Sequence, residues 1–65
     1  MRLAVWRERE GISQEELARR AGVSRATVIA VEQRGALTVR VAQAIERATG
    51  GAVRVRDLIP DAKAS

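Results

Sequence analysis

Apolar residues recur along this chain at helical intervals, and glycine or a small polar residue interrupts them every ten residues or so. Leu3 and Trp6, at i and i+3, form the inward edge of a first helix over residues 2–10, which Gly11 ends. Ser13 can cap a second helix, with Glu16 three residues on to close a capping box, and Gly22 can end it in the left-handed conformation. Ser24 offers the next cap only two residues later, so the chain must reverse within Gly22-Val23-Ser24. A third helix then runs to Gly35, and Thr38 caps a fourth over residues 39–49. That fourth helix is amphipathic, with Val41, Ala44, Ile45 and Ala48 on one face and Arg40, Gln43, Glu46 and Arg47 on the other. Gly50-Gly51 ends it. Beyond this point Val53 and Val55 alternate with Arg54 and Arg56, which is the periodicity of a strand, and a strand edge there could pair with a second copy of the chain.

The second and third helices form the unit on which the rest depends. At about 100° per residue, Val28 and Val31 point to one side of the third helix. Ala26, Ile29, Ala30 and Gln33 point to the other, with Arg25 and Thr27 on the flanks. Leu17, Ala18 and Ala21, with Val23 in the turn, supply the partner stripe. Ala18 is small where two steeply crossed helices come closest, as a helix-turn-helix requires.

Composition limits what such a unit can do. Sixty-five residues allow one domain, and a chain this short buries only ~60% of its unfolded surface, so association with a second copy is a natural source of further buried area. Cysteine and histidine are both absent. No disulfide, cysteine-ligated zinc or other metal site is expected, and no cofactor. An enzyme is rejected as well: there are no paired carboxylates in a predictable cleft and no phosphate-cradling glycine loop. The net charge of +4 and pI near 11.4 call for a polyanionic partner. Between Arg19 and Arg40 there are five arginines and a single acid, Glu32, which concentrates the basic surface around the turn and the third helix. No apolar run approaches the ~20 residues of a membrane span, and the start of the chain has no signal-peptide pattern, so the expected location is the cytoplasm.

At Gln14, Leu17-Ala18, Gly22-Val23-Ser24, Thr27-Val28 and Val31-Glu32, with Arg7 upstream, the sequence resembles the Cro and repressor (XRE-like) family of prokaryotic helix-turn-helix proteins. A second run from Ala44 to Val53, then Asp57-Leu58 and Pro60-Asp61, is similar to the C-terminal half of small phage Cro-like proteins and related antitoxins. The resemblance implies an all-α fold, a compact four- to five-helix bundle of the lambda-repressor-like kind, with residues 1–60 as the domain and 61–65 as a flexible tail in which Lys63 could touch phosphate. It implies base-facing contacts at Arg25, Ala26 and Ala30, phosphate contacts at Gln14, Ser24 and Thr27, and an ion pair between Arg7 and Glu32. It also implies one helical turn leading to Asp57-Leu58, against the strand periodicity there. The chain departs from the family in two places. The link from Arg34 to Leu37 replaces a longer polar loop with a proline, and Arg54 stands where relatives place a serine or threonine cap.

The helical wheel adds Ile29 and Gln33 to the exposed face, and Arg34 and Arg40 are expected to clamp phosphates. Arg25, alone among charges at the head of the third helix, suits a bidentate bond to guanine O6 and N7. Ala26, Ile29 and Ala30 have nothing to donate, so this surface can read thymine methyls, allow close approach or respond to DNA shape. The expected function is a Cro-like repressor binding a palindromic double-stranded operator as a homodimer. The alternative is an antitoxin or accessory factor that also docks onto a protein partner, through apolar surface around Val39, Val55 and Ile59. Neither reading needs a small-molecule substrate or a membrane.

Overall fold

The computed structural model describes residues 2–59; the expected tail, with Lys63, lies outside them. Among the described residues five helices follow in order: α1 (Leu3–Glu10), α2 (Gln14–Ala21), α3 (Arg25–Arg34), α4 (Val39–Ala48) and α5 (Val55–Leu58). No strand occurs among the described residues, so the alternation at residues 53–56 resolves as the helical turn.

Local chemistry sets the ends. The Ser13 hydroxyl accepts from the Glu16 amide at 3.0 Å and starts α2. The reciprocal half of the expected capping box is not made: the Glu16 carboxylate turns outward to Arg19 (3.3 Å) and Arg20 (3.0 Å), where two cations compete better than one backbone amide. Gly22, at φ 73°, ends α2 in the left-handed region, and the Val23 amide folds back onto the Ala18 carbonyl at 3.0 Å, so α3 starts three residues later.

Leu17, Val28, Ile45 and Val53 are the largest fully buried side chains, joined by Leu3, Ala18, Val31, Ala42 and Leu58. Trp6 packs against this core half-buried. α3 packs on α2 and α1, and α4 on α2 and α5. The buried stripe of α4 is Ala42 and Ile45, continued by Thr49, and Ala44 is only half-buried. The face is thus rotated from the sequence expectation, toward the side that α5 and Val53 cover.

Thr49 is the one buried polar side chain among the described residues. Its hydroxyl donates to the Glu46 carbonyl at 3.0 Å and accepts from the Val53 amide at 3.1 Å, which pins Val53 in the core. Arg54 has no hydroxyl to cap α5, and two acids replace it. Glu46 accepts from the Val55 amide (3.2 Å) and Asp57 from the Arg54 amide (3.0 Å). The short link leaves α3 through Gly35 at φ 94° and ψ 174°, a conformation essentially restricted to glycine, and the Ala36 amide then bonds the Leu58 carbonyl at 2.8 Å. α5 thereby holds the link in place of the family's longer loop.

Candidate nucleic-acid interface

The Ser24 hydroxyl caps α3 through the Thr27 amide at 3.1 Å and lies 2.8 Å from the Thr27 hydroxyl. Two of the expected phosphate-contacting groups thus stand side by side at the helix head, where backbone amides and helix dipole favour an anion. Val28 and Val31 are buried; Arg25, Ala26 and Gln33 are exposed on the remaining surface. Ile29 and Ala30, expected on the free face, are half-buried at its shoulders.

A network behind the helix fixes its pose. Arg7 Nε lies 2.7 Å from Glu32 Oε2, and Arg7 Nη1 donates to the Ile12 carbonyl at 3.0 Å. The Gln14 amide nitrogen donates to the other Glu32 oxygen at 3.0 Å. Glu32 thus ties α3 to α1 and to the start of α2. Its hydrogen bond raises the Arg7 guanidinium above its already high ordinary pKa, against the effect of burial. The link from Gln14 to Glu32 was not visible in the sequence, because Gln14 is expected there only to meet phosphate.

The flanks of α3 differ in chemistry. Beside Arg25, a hollow of about 420 Å³ is lined by Arg7, Ser13, Gln14 and Glu15. On the other flank, Thr27 and Ala30 border an apolar hollow of about 210 Å³, closed by Gly35, Leu37, Thr38 and Val41. Leu37, which sequence reasoning treated only as linker, is 88% exposed there. Arg34 stands at the far end of α3, lining a third groove with Arg2, Val5 and Asp57. Arg40 is exposed on the first turn of α4. Among the described residues Arg25, Arg34 and Arg40 make no ion pair, whereas Arg19 and Arg20 are occupied by Glu16.

A capped helix with an open basic head, crossed over a second helix through a three-residue turn, defines a DNA-binding helix-turn-helix. The comparison with known families agrees: the helix-turn-helix family model matches residues 3–54, and the chain belongs to this Cro/repressor-type (XRE) family of double-stranded-DNA-binding regulators. No curated protein and no solved structure matches the chain. No helix among the described residues is long and apolar enough to cross a membrane.

Proposed function

We propose that the chain is a Cro-like repressor, two copies of which bind a palindromic operator with one α3 in each of two major-groove segments. The observation that carries this reading is the open face of α3, where Arg25, Ala26 and Gln33 stand exposed on a helix whose opposite side is buried. Arg25 reads a guanine; Ala26, Ile29 and Ala30 set an apolar surface against the base edges, and Gln33 offers a polar group further along. Gln14, Ser24 and Thr27 meet phosphate at the helix heads, and Arg34 and Arg40 add phosphate contacts outside the groove. One short helix reads only a few base pairs, and half-sites about 34 Å apart fit two copies related by a two-fold axis.

Selection of bound fragments from a random DNA pool, followed by sizing of the complex, tests this. An inverted repeat bound by two copies is the expected result. A single unrepeated half-site carrying one copy removes the dimer, and failure to enrich any sequence removes specific readout. The docking alternative has less support: Val39 is 55% exposed, but Val55 and Ile59 pack against the core.

A further inference from the structure

We propose that Leu37 is a specificity-determining residue: over the hollow floored by Thr27 and Ala30 it receives the C5-methyl group of a thymine at the wall of the major groove. Leu37 is the most exposed of the large apolar side chains among the described residues, at 88%, against 55% for Val39 and 44% for Val5. A leucine this exposed gains free energy only from a partner that covers it, and it stands beside an apolar hollow. Thr27 and Ala30, which line the hollow beside it, belong to α3, so the hollow lies on a flank of the helix proposed to read DNA. Arg34 and Arg40, without ion pairs among the described residues, bracket the link from both sides, so the charge around Leu37 suits a polyanion rather than an apolar protein.

The chemistry of the groove then selects the occupant. The thymine methyl is the one apolar group on the major-groove base edges, and it lies at the edge of its base nearest its own strand's backbone. It therefore comes within reach of the flank of a reading helix as well as of its face. The polar flank beside Arg25 suits phosphate; the apolar flank suits this methyl. The link is also held still, through Gly35 and the bond from the Ala36 amide to the Leu58 carbonyl, so Leu37 is presented from a fixed backbone.

This inference rests on α3 entering the major groove, and the test separates the two. Each thymine of a selected half-site is replaced in turn by deoxyuridine, which lacks only the methyl, and binding is titrated for the wild type, Leu37→Ala and Arg25→Ala. At the one thymine per half-site that faces Leu37 the wild type should lose about fourfold, the worth of one buried methyl group, whatever other thymines the face of α3 reads. Leu37→Ala should bind the thymine duplex more weakly by about that factor for each half-site and show no difference between thymine and uracil at that position. Its melting temperature should be unchanged, since the side chain is exposed. A selected site without thymine, a wild type indifferent to every replacement, or a Leu37→Ala variant that keeps the discrimination would each overturn the proposal. So would a Leu37→Ala variant that loses self-association without DNA, which would assign the residue to a contact between copies. If Arg25→Ala leaves base preference intact, it is the placement of α3 that fails.

Discussion

Removal of Glu32 is the most informative perturbation of this domain, because one carboxylate serves three helices. Its side chain is 9% exposed and that of Arg7 16%, so both charges are largely withdrawn from water. Glu32→Ala deletes the bonds from Arg7 Nε (2.7 Å) and from the Gln14 amide (3.0 Å). It leaves the Arg7 guanidinium holding only the Ile12 carbonyl. Gln14 can turn to solvent; Arg7 cannot do so freely. Breaking a buried pair by removing one partner costs ~3–5 kcal/mol, and partial exposure of Arg7 puts this case near ~3 kcal/mol. A chain of this length has a total stability of about 3–10 kcal/mol, so the variant should melt on the order of 15 °C lower.

Thermal melts of Glu32→Ala, Arg7→Ala and the double variant measure this. The double variant should recover part of the loss, since no charge is then stranded. Arg7→Lys should restore charge but not geometry, because lysine cannot serve Glu32 and the Ile12 carbonyl through two groups of a rigid fork. Two single variants within about 0.5 kcal/mol of the wild type would refute the reasoning. The pair raises the pKa of Arg7, so its contribution is full below the ordinary guanidinium range and is lost only as pH rises through the raised value. The penalty of Glu32→Ala should therefore be as large at pH 9 as at pH 7.

Further expectations concern the reading surface and the α5 seat. Arg25→Ala should cost ~1–3 kcal/mol on the selected operator and flatten preference at one guanine per half-site, whereas Arg34→Ala should weaken all sequences alike and lower the salt slope by about one unit; titrations at several salt concentrations distinguish them. Thr49→Val, which keeps shape but removes the hydroxyl partner of the buried Val53 amide, should cost ~1–3 kcal/mol in denaturant melts. The bond from the Arg54 amide holds the Asp57 carboxyl below the ordinary carboxylate range, so its contribution is present above that range and lost as pH falls through the lowered value. Asp57→Ala should melt below the wild type at pH 7, and the gap should close below about pH 4 as the wild-type carboxylate protonates.

The parts legible in the sequence are those decided within a few residues. Ser13, Gly22, Ser24, Gly35 and Thr38 mark helix ends by backbone and hydroxyl chemistry that needs no distant partner, and each stands where that chemistry predicts. Val28 and Val31 are buried as their spacing requires. What the sequence left open depends on how one element seats against another. Ala42 rather than Ala44 faces the core because α5 fixes the rotation of α4, and no local pattern in α4 carries that information. Glu46 reads as a solvated charge on a helical wheel, yet it caps a helix nine residues away. The ambiguity at residues 53–56 has the same origin. Alternation favours a strand, but Thr49 draws the Val53 amide inward, and the acids Glu46 and Asp57 satisfy the helical turn that Arg54 cannot cap.

Why a reading surface this poor in polar groups is held so firmly follows from the distance dependence of the contacts available to it. A hydrogen bond to a base tolerates small shifts of the helix, because a long side chain can follow its partner. Contact between a protein methyl and a thymine methyl has no such reserve, and a gap of about 0.5–1 Å already forfeits a quarter to a half of the attraction. An apolar face therefore discriminates only if its backbone is fixed, and α3 is fixed along its whole length. Ser24 holds its head, Glu32 ties its last turn to α1 and α2, and Gly35 with the Ala36 amide joins its tail to α5. On the proposed reading, the bonds that stabilise the domain are those that would let alanine, isoleucine and leucine distinguish bases.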